Sequence, residues 1–383
     1  MSYLHPLCAW GILACSVAFG QKTAKPAVPQ SLDATVERAA LILVACQESM
    51  DGAEAPNEWP YEGVYRERGE IPMGYRVGGT AISAWSLIET PAYQANSEVR
   101  QAVARALDFV LTGLDHERMA SGFRGTYDVR GWGHTYALIF LLRLRERELV
   151  PEPLASQVKG KIEWLVQTLG ETEIPGDGGW GYARRAGFSE PSPASPFMTA
   201  PTLMALFEAA SQGEEVNGEL LERALNGLED SRTEAGFFPY SSSGGRDEAP
   251  GAIGRSPAAE VTLFLAGRSS VEDIRDSLDA FLEHWEWLEK RRRQTGTHVP
   301  PYGIAPYYFF YAHNYAGLAI EFLDKDARPR YRARFLERLF QVQENSGGWN
   351  DRVFPRSENF GTAMSVLALL QPKLPTPAEW DSE

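Results

Sequence analysis

From Gln343 to Gln371 the chain reads QENSGGWNDRVFPRSENFGTAMSVLALLQ. The first half is polar and carries two glycines ahead of Trp349, whereas Gly361 to Leu370 holds no charged residue. A helix without charge on any face has to be buried on all sides. Just upstream, Tyr331, Phe335, Leu339 and Phe340 recur at helical spacing among arginines and glutamates, the pattern of a helix with one buried stripe. The local order is therefore amphipathic helix, glycine- and aromatic-rich loop, uncharged helix.

That order recurs along the chain. Val99, Val103, Leu107, Val110 and Leu111 form one amphipathic stripe; Val271, Ile274, Leu278, Phe281, Leu282 and Trp285 form another. Partner helices with few charges on any face are expected over Thr80–Ile88, His134–Leu142, Phe197–Phe207, Ala258–Ala266, Tyr307–Ile320 and Gly361–Leu370. The copies also match as sequence: Gly79-Thr80-Ala81-Ile82-Ser83 answers Gly361-Thr362-Ala363-Met364-Ser365, and Thr199-Ala200 opens the third similarly. The unit length averages about 56 residues, long for a common solenoid repeat. Loops carry Gly131-Trp132-Gly133, Gly178-Gly179-Trp180-Gly181, Gly236-Phe237-Phe238-Pro239-Tyr240 and Gly347-Gly348-Trp349. Ser195-Pro196 and Ser256-Pro257 offer a capping hydroxyl followed by proline at the first helical position.

Six hairpins of two helix types predict an all-α fold, a closed (α/α)6 toroid with amphipathic helices outside and uncharged helices inside. An open solenoid would leave apolar faces bare at both ends. The domain is expected to span residues 31–372, with a connector over 21–30 and a C-terminal tail over 373–383. Residues 1–20 contain no Lys, Arg, Asp or Glu, and Ala18 and Gly20 are spaced as in a cleavage signal. This predicts a signal peptide and export, to a periplasm or outside the cell, with lipid anchoring at Cys15 the less favoured reading. Cleavage would leave Cys46 as the single cysteine, in the apolar run Ala39–Cys46, and so no internal disulfide.

The formal charge of -14 and the lack of long Lys/Arg runs argue against nucleic acid as a partner. No stretch reaches the length of clean apolar residues that a membrane span requires.

Phe335-Leu336 followed by Gln343-x-x-x-Gly347-x-Trp349 resembles the QW motif of terpene cyclases. The third unit keeps Trp164-Leu165 and Gly178-x-Trp180. From about Leu32 to Leu370 the chain thus resembles the α/α-toroid superfamily of squalene–hopene cyclases and protein prenyltransferase β subunits. The resemblance implies the toroid but not its known chemistry. The sequence has no Asp-x-Asp-Asp run to protonate a polyprene, no cysteine placed for prenyltransferase zinc and no Gly-Cys-Gly-Glu-Gln thioester segment.

In such a ring the long loops gather on one face, at the N-termini of the inner helices. Unpaired N–H groups make that mouth suited to an anion. Among the loop aromatics are Trp59, Tyr61, Tyr75, Tyr182, Tyr240, Tyr302 and Trp349. Candidate ligand-binding residues are Arg76, Arg130, Trp132, Arg255, Tyr307, Asn314 and Arg352; aromatic walls and guanidinium clamps suit a sugar acid, a peptide end or an isoprenoid head group. Candidate catalytic residues are His134, His313, Tyr311 and Glu260. One reading is a ring that binds a small molecule, isoprenoid, glycan or protein partner at its loop face without chemistry. The other is an enzyme. A lyase of acidic glycans would bring His134 or His313, a tyrosine and Arg255 together; an isoprenoid cyclase would need a deep apolar cavity with one protonatable carboxyl, Glu260. No cofactor is implied. A zinc site from His134, His298 and His313 lacks a close-spaced ligand pair.

Overall fold

The computed structural model describes residues 31–123, 129–181, 193–241 and 248–381. The expected signal peptide, the connector and Tyr182 lie outside the described residues. Among the described residues, twelve long helices alternate between two rings. The outer helices are α1 (Leu32–Ala45), α3 (Ser97–Leu114), α5 (Ala155–Thr172), α7 (Gly218–Asp230), α9 (Val271–Arg291) and α11 (Arg328–Gln341). The inner helices are α2 (Met73–Ile88), α4 (Arg130–Glu146), α6 (Pro196–Ser211), α8 (Ser256–Leu265), α10 (Tyr308–Ile320) and α12 (Glu358–Leu370). Each inner helix packs on the next, and α12 packs on α2 as well as on α10, so the ring is closed.

The two helix types differ as their sequences require. On α3, Val99, Val103, Leu107, Val110 and Leu111 are buried, and charged residues cover the opposite side. Every residue of α10 is buried, as is every residue of α12 from Asn359 onward. Outer helices α1, α3, α7 and α9 begin with side-chain caps from Ser31, Asn96, Asn217 and Ser270. The inner helices do not. Ser195 makes no capping hydrogen bond, and Ser256 lies inside α8, where its hydroxyl donates to the Ala252 carbonyl and accepts from the Phe238 N–H at 3.4 Å. The two expected hydroxyl caps are thus replaced: one serine stands uncapping, the other holds the loop.

Trp59, Trp180 and Trp349 perform one job in three hairpins. Their indole N–H groups donate to the carbonyls of Leu43 (2.6 Å), Leu169 (2.9 Å) and Leu339 (3.0 Å), each in the last turn of its own outer helix. Such carbonyls have no partner within the helix ladder. Their backbone N–H groups donate to the hydroxyls of Thr80 (2.8 Å), Thr199 (3.0 Å) and Thr362 (3.0 Å) on the paired inner helix. The tryptophan therefore ties the two helices of its own hairpin. In the fourth hairpin Phe238 stands in its place on Ser256.

The glycines before Thr80 and Thr362 follow from this geometry. A methyl added at Gly361 would lie inside the contact distance of the Trp349 carbonyl, and one at Gly79 would meet the Trp59 carbonyl and the Tyr61 N–H. On a solvent-facing helix Gly→Ala stabilises by about 1 kcal/mol. Gly361→Ala is expected to do the reverse and lower stability by about 1–3 kcal/mol through overpacking. Gly160→Ala, on the open face of α5 where nothing lies near the added carbon, is expected to stabilise. Urea midpoints of the two variants should move in opposite directions, and a gain for both would refute the packing argument.

Glycine also sets the seam between α2 and α4. Added carbons at Gly74, Gly78 and Gly133 would collide with Val129, Trp132 and Gly74 of the facing segment, so the two helices approach backbone to backbone. That is why Gly131-Trp132-Gly133 is the first turn of α4, not a loop: close packing compensates for the weak helix propensity of glycine. Across the ring, Pro201 inside α6 cannot donate to the Phe197 carbonyl; the Tyr311 hydroxyl on α10 donates to it instead at 3.0 Å.

Candidate functional site

The loops do gather at the N-termini of the inner helices. Tyr61 and Tyr75 from the first hairpin, Trp132 and Tyr136 on α4 and Phe360 on α12 form one aromatic cluster, with ring centroids 4.6–6.1 Å apart. Trp132 is part of this packing. Its aromatic face is spent on the protein itself.

A second cluster is chemically richer. Tyr240 from the fourth loop, His298 from the fifth, and Tyr307 and Tyr308 at the start of α10 converge over Arg255 at the start of α8. His298 Nδ1 lies 3.2 Å from the Gly303 carbonyl, and its Nε2 lies 3.0 Å from the Tyr307 hydroxyl. A carbonyl only accepts, so Nδ1 carries the proton and the Nε2 lone pair accepts from Tyr307. Tyr240 and Tyr307 hydroxyl oxygens are 3.4 Å apart, and the Tyr308 hydroxyl is 3.4 Å from His298 Nδ1. Burial keeps His298 below the usual histidine range, aided by the nearby Arg255 charge, so the imidazole is neutral near neutral pH. Burial raises Tyr240 and Tyr308 above the ordinary tyrosine range.

Arg255 is buried and donates from Nε and Nη2 to the Phe238 carbonyl at 3.2 and 3.1 Å. Its guanidinium faces the rings of Tyr308 and Tyr240, with centroids 5.0 and 5.9 Å away. Among the described residues no carboxylate pairs with it. The positive charge is thus projected through two aromatic rings toward His298 and Tyr240, which are only half-buried.

The remaining candidates fall elsewhere. Arg76 is buried against Glu58 (2.7 Å) and Asp51 (2.6 Å) and serves as an internal ion pair. Arg130 donates to the carbonyls of Ala120 and Phe123. Arg352 is buried with its guanidinium against Phe354. Asn314 accepts from Gln371 at 3.3 Å, at the opposite end of the ring. Tyr311 is engaged by Phe197 as described.

Neither His134 nor His313 joins Arg255. His134 Nε2 donates to the Met119 carbonyl at 2.8 Å, and the ring packs edge-on against Trp164 of outer helix α5. His313 donates from Nδ1 to the Phe309 carbonyl at 2.6 Å and accepts the Trp285 indole N–H at 2.9 Å. Burial drives the two down to about 3 and about 4, so both are neutral struts between the rings. Glu260 accepts from Arg232 (2.6 Å) and Ser269 (2.5 Å), which flank outer helices, and not from Arg255. Among the described residues no group of His, Cys, Asp and Glu is placed to hold a metal. Burial raises the Cys46 thiol to about 11, which keeps it unreactive.

A buried carboxyl stands next to Arg352 in the chain. Asp351, fully buried, accepts from the Tyr61 hydroxyl at 3.3 Å through Oδ2, while Oδ1 has no hydrogen-bond partner among the described residues. Burial raises it to about 7 against the opposing pull of Arg352 and Tyr61.

No protein-family model and no curated protein matches the chain by sequence. Solved structures do match in shape. The type II terpene cyclase MstE from Scytonema aligns with 14% identity and a TM-score of 0.52, covering 90% of this chain and all of its own. The GH76A α-1,6-mannanase from Salegentibacter sp. HEL1_6 gives 13% identity and a TM-score of 0.55, over 88% of this chain and 99% of its own. A D-mannose isomerase gives 13% and 0.51, over 90% and 100%. At these identities the matches establish the toroidal fold alone.

Proposed function

We propose that this chain binds an anionic, hydroxyl-rich ligand, a uronate-containing glycan, in the loop-face cluster of Tyr240, His298, Tyr307 and Tyr308. The observation that carries the reading is Arg255: a buried cation with no carboxylate partner among the described residues, screened by aromatic rings and set beneath the half-buried Tyr240 and His298. A sugar ring stacks on tyrosine faces, its hydroxyls meet tyrosine and imidazole, and its carboxylate is drawn by the guanidinium field. Solved proteins of the same fold include a mannanase described in complex with α-1,6-mannotriose, so sugar binding in a toroid of this shape has precedent.

Titration calorimetry with a hexuronate trisaccharide and its neutral hexose counterpart tests this. The uronate is expected to bind more tightly, and His298→Ala and Tyr307→Phe to weaken it about tenfold while leaving the melting temperature in place. Equal binding of both sugars, or of neither, would sink the reading.

A lyase reading is favoured by one specific contact. The neutral His298 accepts the Tyr307 proton at 3.0 Å, an acid–base pair of the kind β-elimination employs. An unsaturated uronate product, seen by its ultraviolet absorbance and lost in His298→Ala, is the expected signature.

A further inference from the structure

We infer a second binding site at the far mouth of the ring, for a small uncharged apolar molecule, closed by the C-terminal segment acting as a strap. After α12 and the turn Gln371–Lys373, residues 375–381 run without helix or strand. They leave the sixth hairpin and end against the third and fourth, on the other side of the ring. There the Trp380 N–H donates to the Leu265 carbonyl at 2.8 Å, and its indole N–H donates to Glu222 at 3.1 Å. The indole lies parallel to Phe207, with centroids 5.9 Å apart. The Ala378 N–H points to Glu208 at 3.4 Å.

Beneath the strap lies a cavity of about 60 Å³, walled by Trp85, Ile139, Met204 and Leu318 of four inner helices and by Leu374 and Pro377 of the strap. The polar groups at its edge are engaged: Arg143 with Glu146 at 2.5 Å, Asn314 with Gln371, and the Glu208 carboxylate with the Gln212 amide at 3.1 Å and the Ala378 N–H at 3.4 Å. With these groups hydrogen-bonded within the protein, the remaining wall is apolar and selects an apolar ligand. It is separate from the loop face, because the Tyr136 and Tyr315 hydroxyls stand 3.5 Å apart across the ring axis and Tyr311 fills the space beside them. Apolar walls of this kind take apolar guests. At its present size it admits only a few heavy atoms. The strap is held by a handful of hydrogen bonds and one stacked ring, so its release is a local event that enlarges the space without opening the ring.

NMR of xenon and of naphthalene on the full chain is the test. Xenon is expected to bind the wild type, and Ala205→Leu, which fills the cavity wall, to abolish that signal at unchanged melting temperature. Trp380→Ala is expected to raise naphthalene affinity on the order of tenfold. Glu222→Gln, which loosens the same anchor without removing the indole, should shift it in the same direction and serves if Trp380→Ala does not fold. Xenon binding that survives Ala205→Leu would place the guest elsewhere. Naphthalene affinity unmoved by either anchor variant would end the strap's role as a lid.

Discussion

Trp349→Ala is expected to cost the fold about 3–5 kcal/mol, the range for deleting a large buried aromatic. The cost has separable parts. The indole is fully buried, so its removal leaves a cavity between α11 and α12. The Leu339 carbonyl loses the indole donor and keeps only the Val342 N–H at 3.4 Å, and a lost hydrogen bond of this kind costs about 0.5–1.5 kcal/mol. Trp349→Phe keeps most of the packing and loses the N–H, so its deficit should fall near that second figure. Chemical denaturation of both variants measures the difference. If alanine and phenylalanine cost the same, the hydrogen bond to the helix end carries the stability and the packing account is wrong.

Asp351 gives the second large effect, and its sign is fixed by its environment. In the unfolded chain this carboxyl titrates near 3.8, whereas burial raises it to about 7 in the ring. Between those values the folded state holds a proton that the unfolded state has released. Stability therefore falls as pH rises through this window, and the loss is complete above the folded value, by an amount on the order of a few kcal/mol. Asp351→Asn removes the titration while keeping the shape. Relative to wild type, the variant is expected to gain stability steadily from about pH 5 to about pH 8, with the difference levelling off beyond. Melting temperatures across that range decide it. A difference independent of pH would mean that the carboxylate is ionised in the folded protein throughout.

The architecture was legible because it rests on local composition. Uncharged helices must be inside whatever their neighbours, and stripes such as Val99–Leu111 can face only one way. The recurring Gly-Thr pair carried more than the pattern suggested. It marks where the tryptophan loop lies on the inner helix, a close approach that only glycine permits. Helix boundaries were less visible. Trp132 and Arg130 lie in α4 because glycines of α2 and α4 interlock, and no single segment announces such a fit. The site was the least legible part. His134 and His313 look exposed to chemistry in sequence, since each is a polar residue in an apolar helix. Both turn outward to satisfy a carbonyl, and His313 also an indole. His298 was considered only as a metal ligand, yet it joins Arg255 and three tyrosines from two loops, a convergence that depends on ring closure. The sole local hint was its place in a Pro- and Tyr-rich loop, Val299 to Tyr302.

Closure of the ring also bears on where the chain begins. Asp33 at the head of α1 and Lys373 just past α12 form an ion pair at 3.1 Å, while Ser357 and Asn359 donate to the Glu62 and Pro60 carbonyls across the same seam. The start and finish of the six hairpins thus adjoin, and the seam is bonded much as any other junction. In topological terms the fold has no first hairpin. A circularly permuted chain, joined near Lys373 and Asp33 and opened at an exposed turn between other hairpins, would keep the same neighbours around the ring. The hairpin order in the sequence is then a historical choice of breakpoint, not a requirement of the circle.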